Sequence, residues 1–210
     1  MPFLLSSIAR DVGKRVEDRL FIKWGAMPST QLLRHSDGHF DAHTKRRYHE
    51  ILASGIKVAL PSPEDELANP LAADELYRAA GFWLRGQTKN TKEFPHVFRE
   101  NIAYGFRRNA TGLKYVGFFI ALSCLLSLLA KPVFRALSAD NSLVEGFISG
   151  IGLLQAASII VSAIFMIVWA TCFSEQSLRR AAHAYADRLI RSCDDIKKPR
   201  KARVVPATAA

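Results

Sequence analysis

"GFISGIGLLQAASIIVSAIFMIVWATCF", Gly146 to Phe173, runs for 28 residues without a charged side chain. A helix rises about 1.5 Å per residue and the hydrocarbon layer is roughly 30 Å thick, so this stretch can cross a bilayer with residues to spare. Upstream lies a second uncharged run, "YVGFFIALSCLLSLLA" from Tyr115 to Ala130, with Lys114 and Lys131 at its ends. It is shorter, but both lysines can snorkel, and Val133, Phe134 and Leu137 extend it. The alternative is a buried hairpin in a soluble protein. A run of 28 uncharged residues is too long for an ordinary core helix, so two spans are expected, at about 114–134 and 147–172.

The rest of the chain carries the charge. Of 210 residues 49% are hydrophobic, and the net charge is +10. Residues 1–114 hold +5 of that, the segment 131–145 is neutral, and residues 174–210 hold the other +5. Arg107, Arg108 and Lys114 precede the hairpin, and Arg179 and Arg180 follow it. Cationic flanks stay in the cytoplasm, so both termini are expected there, with a short neutral loop outside. The start of the chain, "MPFLLSSIARDVGKRVEDRL", has its charges after a short apolar patch, the wrong order for a cleavable signal.

Outside the spans the periodicity is helical, which predicts an all-α chain in four parts. A cytoplasmic helical domain covers 1–112, the transmembrane hairpin 113–173, a cytoplasmic amphipathic helix 174–198, and a disordered basic tail 199–210. Leu5, Ile8, Val12, Val16 and Leu20 recur at three- and four-residue steps, predicting a helix over roughly 3–21. "MPSTQLLRH" starts the next, with Ser29 or Thr30 as its cap, and Ser36-Asp37-Gly38 breaks it. Asp41 or Thr44 can open a helix through "HTKRRYHEILA". "PSPEDELANP" reads as a loop or short turn, and Asn69-Pro70 caps a helix to about Leu84. That helix buries Ala73, Leu76, Tyr77, Ala80, Trp83 and Leu84. A last helix runs from Phe94 toward the membrane, with the joint at Asn109 to Gly112. After the spans, Leu178, Ala182, Tyr185, Leu189 and Ile196 line one side of a helix, a seam suited to self-association.

Candidate chemistry gathers in "RHSDGHFDAHTKRRYH", Arg34 to His49. His35, Asp37, His39, His43 and His49 offer zinc ligands, but Asp37-Gly38 disturbs their helical spacing and Lys45, Arg46 and Arg47 repel a divalent ion, so no metal is expected. Cys124, Cys172 and Cys193 form no disulfide framework and no CxxC pair. There is no P-loop, no GxGxxG and no GxSxG elbow, so no catalytic residues and no cofactor are expected. A polyanion surface fits better, because phosphates need fixed cations and unstacked bases need flat partners. One candidate cluster is Arg34, Lys45, Arg46, Arg47, Tyr48 and His49, and the other is Arg99, Tyr104, Arg107 and Arg108. A solvated helix face is the alternative for the first, and anchoring beside the membrane for the second. Within the second span, Gln155, Ser158 and Ser162 share a face that can line a pore or bond between helices, and Ser123 and Ser127 share a face of the first. Gly146 and Gly150 form a GxxxG.

The string "KWGAMPSTQLLR…TKRRYHEIL…PSPEDELANPLAADELYRAAGFWLR…ENIAYGFRRNATGLK" over about residues 20–115, followed by the hairpin, resembles a family of small bacterial two-span membrane effectors of antiphage defence, that of the Hailong system. The resemblance implies a tetrameric ion channel controlled by short single-stranded DNA made by a nucleotidyltransferase encoded nearby. Bound signal would hold the channel closed.

These readings converge on a homo-oligomeric channel in the bacterial inner membrane whose cytoplasmic domain binds a nucleotide or single-stranded oligonucleotide signal. The other reading is a non-channel membrane adaptor that anchors a cytosolic enzyme.

Overall fold

A computed structural model describes residues 2–138, 144, 147–148 and 151–196. Among them the regular elements are helices: α1 Pro2–Trp24, α2 Pro28–Leu33, α3 Ala42–Ile56, α4 Pro63–Ala68, α5 Pro70–Gln87, α6 Pro95–Gly112, α7 Lys114–Ser138, α8 Leu153–Thr171 and α9 Glu175–Arg191, then a 3-10 turn at Ser192–Asp194. The expected basic tail 199–210 and the Gly146/Gly150 pair lie outside the described residues. The chain forms two compact units. A helical unit contains Phe21–Tyr104 and the residues from Ala181 onward, and a span unit contains the residues up to Leu20 together with Gly105–Arg180. The boundaries run through helices: α1 is divided after Leu20, α6 after Tyr104, and α9 after Arg180.

Local chemistry starts most of the helices in the helical unit. Asp41 caps α3 by accepting from Thr44 N–H at 2.9 Å, and Asn69 caps α5 by accepting from Ala72 N–H at 3.1 Å, with Pro70 at the first helical position. The segment read as a loop is instead a helix. Ser62 and Asp65 form a capping box around Pro63 and open α4. The expected Ser29 or Thr30 cap is also replaced: Met27 takes the cap position without a side-chain bond, Pro28 starts α2, and both hydroxyl residues are buried within it. The core joins Leu32 and Leu33 of α2, Tyr48 and Leu52 of α3, Ala73, Tyr77, Ala80 and Leu84 of α5, and Ala186, Leu189 and Ile190 of α9. The seam read as a self-association surface is therefore covered largely by its own chain, since Leu178, Ala182 and Leu189 are all buried.

In the span unit, α7 has 25 residues and α8 has 19, or about 37 and 28 Å of helix. Both are long and apolar enough to cross a membrane. The first helix continues past the expected end at 134 to Ser138, while the second starts at Leu153 behind Gly152. Only Ala121, Pro132 and Ala136 of α7, and no residue of α8, are buried by the chain itself. The chain itself thus leaves most of the apolar surface of both helices exposed. The expected four-residue joint before the first span shrinks to Leu113. Leu113 N–H donates to Asn109 O at 3.0 Å and Gly117 N–H to Leu113 O at 2.9 Å, so the hydrogen-bond ladder passes through the joint.

Candidate functional site

The stretch from Arg34 to His49 folds into a bend followed by α3, and the two enclose one side of a cleft of about 510 Å³ in the helical unit. His35, Asp37, Lys45, Arg46, His49 and Glu50 supply its polar lining, with Leu60 and Pro63 opposite. Of the expected first cluster, Lys45, Arg46 and His49 are thus brought together.

Lys45 is buried, and its ammonium donates to the backbone carbonyls of Arg34 (2.6 Å) and Asp37. It therefore closes the bend from within. Burial pushes its pKa down against the pull of Asp37 and Glu66. His49 is also buried. Its Nε2 faces Leu33 O at 2.8 Å, and a carbonyl can only accept, so that nitrogen carries the proton. Burial holds its pKa down at about 4, which leaves the ring neutral near pH 7. His35 Nε2 donates likewise to Pro61 O at 2.9 Å, and the two imidazoles meet edge to face at 4.8 Å.

The other members of the first cluster face elsewhere. Arg34 forks Asp74, with Nε and Nη2 donating at 2.8 and 2.5 Å. Tyr48 turns into the core and donates to Asp194 Oδ2 at 2.8 Å, while Arg47 pairs with Asp194 Oδ1 at 2.9 Å. Arg46 is left exposed at the cleft mouth.

The second cluster divides between the units. Arg99 is exposed, and Tyr104 is buried with its ring stacked on Tyr185 at 5.9 Å, both in the helical unit. In the span unit Arg107 is exposed, whereas Arg108 pairs with Glu17 at 3.2 Å, each side chain only about one-seventh exposed.

Behind the cleft stands a carboxylate that periodicity did not single out. Glu66, 7% exposed, accepts from the Tyr77 hydroxyl and from His35 N–H, both at 2.7 Å, and from Ser36 N–H at 3.2 Å. Burial opposes its charge, but these donors outweigh burial and hold its pKa below the usual carboxylate range. Burial first, and then the bond to the Glu66 carboxylate and its charge, push the Tyr77 hydroxyl far up. The pattern Ser62-Pro-Glu-Asp65 was the signal available in the sequence, since it marks a helix start that would carry Glu66 inward. Among the described residues no three of His, Cys, Asp and Glu converge on a metal position. Of the residues weighed as zinc ligands, His39 bonds Asp187 at 2.7 Å, and His35 and His49 each bond a carbonyl.

In the hairpin, Gln155 Nε2 donates to Leu128 O across the spans at 2.6 Å. The reason lies four residues on. The Leu128 carbonyl would normally accept from the N–H of residue 132, and Pro132 has none. A carbonyl left without a partner is costly wherever water is excluded, and the amide of α8 satisfies it. Gln155 is thereby turned toward its partner span. Ser158 is exposed, with its hydroxyl on Leu154 O at 2.9 Å, and Ser162 is half-buried.

In comparisons with known proteins, no family model, curated protein or solved structure matches this chain.

Proposed function

We propose that the chain is a membrane effector of bacterial antiphage defence. In this reading α7 and α8 cross the inner membrane, both termini are cytoplasmic, and several copies, four on the family resemblance, form an ion-conducting assembly. The helical unit binds a nucleotide or short single-stranded oligonucleotide, and occupancy sets conduction. A ligand gates only by binding one state more tightly than the other.

The observation that carries this reading is the cleft. It places the cations Lys45 and Arg46 beside the carboxylates Asp37 and Glu50. Phosphate oxygens suit the exposed Arg46 guanidinium, and base amino groups suit the carboxylates, so a nucleotide matches the mixed lining better than a plain polyanion does. Exposed Arg99, in the same unit, offers a further cation to a strand's phosphates, and Ser158 and Ser162 supply the polar face of the conducting path.

The test is binding of short single-stranded DNA, cyclic dinucleotides and mononucleotides to the full-length protein across a salt series. Selective binding is expected, and Arg46→Ala should weaken it and reduce the salt slope by about 0.7 for each phosphate that the guanidinium neutralises. Absence of binding by all three ligand classes overturns the sensor. In planar bilayers the bound and free protein should then differ in conductance.

One observation favours the adaptor reading. The Gln155 amide closes the hairpin's own unpaired carbonyl, so a single copy satisfies that polar group without a neighbour. A monomeric mass in detergent would support the adaptor, and a defined oligomer the channel.

A further inference from the structure

The N-terminal third of α1 exposes an apolar surface: Phe3 is 88% exposed, Leu5 67%, Leu4 61% and Ile8 46%. Leu4 and Ile8 continue the four-residue series of Val12 and Val16, yet the two valines are half-buried and the two earlier residues are not. Such a surface needs a cover. Where α1 is fixed identifies one.

Gly13 meets α6 backbone to backbone: a Cβ there would stand 2.9 Å from Asn109 Cα, and one on Gly112 would stand 3.0 Å from Gly13 Cα. Four residues along, Glu17 pairs with Arg108. Gly112 lies two residues before Lys114, where the first span begins. The contact therefore clamps α1 at the end of a membrane-crossing helix, and Phe3 is ten residues, or about 15 Å, from the clamp. The charges match a lipid surface. Arg10, Lys14 and Arg15 are exposed, and Asp11 is the one acid among residues 2–16.

We infer that the first turns of α1 lie in the cytoplasmic membrane interface, with Phe3, Leu4, Leu5 and Ile8 at the acyl boundary and Arg10, Lys14 and Arg15 on the phosphates of anionic lipids. The inference rests on the reading that α7 and α8 cross the bilayer. An interfacial helix combines an apolar face with cations that favour anionic headgroups, and the clamp makes its insertion intramolecular. Because Gly13 touches Asn109 and Gly112 in the last turn of α6, next to the joint at Leu113, the lipid contact fixes the root of the span.

The test places a nitroxide on Leu5→Cys in the full-length protein carrying Cys124→Ala and Cys172→Ala, with buried Cys193 retained. The protein is reconstituted in phosphatidylcholine vesicles with and without phosphatidylglycerol. Collision with oxygen should exceed collision with a water-soluble nickel complex, at a depth of about 5–10 Å below the headgroups. Phosphatidylglycerol should deepen it, and replacing Arg10, Lys14 and Arg15 by Gln should abolish that dependence. A Leu5 label as water-accessible as one at Asp18→Cys overturns the inference. So does a label shielded from both reagents, which would indicate cover by protein such as a second copy. A control label at Ile160→Cys separates the failures. If it reports hydrocarbon while Leu5 reports water, only the interfacial helix falls; if it also reports water, the spans fall with it.

Discussion

Replacing Gln155 by Leu removes the donor that satisfies the Leu128 carbonyl, and the cost should depend on Pro132. With proline at 132 the carbonyl has no helical partner, so Gln155→Leu forfeits an interhelical bond and leaves an acceptor unpaired between the spans. Hydrogen bonds between membrane helices are each worth roughly 0.6–2 kcal/mol. A destabilisation of about 1–2 kcal/mol follows from that range. In a Pro132→Ala background residue 132 regains its N–H, the carbonyl closes its own helical bond, and Gln155→Leu should cost less than about 0.5 kcal/mol. The assay is a double-mutant cycle on hairpin unfolding in bicelles, with a coupling of about 1 kcal/mol expected between positions only 23 apart in sequence but on different helices. Equal costs in both backgrounds would refute the reasoning. Conductance gives an independent readout: a pore-lining role for Gln155 would change current whatever stands at 132, whereas a packing role would show its effect only with proline present.

Three further outcomes concern the helical unit. Glu66→Gln weakens three bonds to one carboxylate, a loss of about 3 kcal/mol, and should speed amide exchange at His35 and Ser36 roughly a hundredfold; unchanged protection would show that the carboxylate does not hold these amides. His49 has a folded-state pKa of about 4 against an ordinary 6.5, so its contribution is complete above about pH 6.5 and is lost as the pH falls through about 4. Between pH 7 and 5, before ordinary carboxylates titrate, thermal stability should drop by about 1–2 kcal/mol, and a flat profile would contradict a buried neutral ring. Lys45→Met leaves the Arg34 and Asp37 carbonyls without their donor and should cost about 2–4 kcal/mol, while Arg46→Ala should stay within about 0.5 kcal/mol; equal melting shifts would show that the two neighbouring cations are not buried and exposed as described.

Composition and local pattern determined much of this protein. Two long uncharged runs dictate two apolar helices, because the backbone must satisfy itself wherever water is absent. Asp41, Asn69 and Pro70 announce their helices because a cap acts within three residues. The Ser62–Asp65 capping box is equally legible, but the two prolines that flank the segment point to a loop and mask it. What only the tertiary structure decided is the fate of each polar side chain. Lys45 and Arg46 are adjacent and chemically alike, yet one closes a bend from inside and the other meets solvent, because α3 turns them to different sides. Arg34 found Asp74, forty positions away, and Leu128 found Gln155. Such pairs form between elements that are remote in sequence, and a period of 3.6 residues says which face a side chain occupies but not what stands across from it.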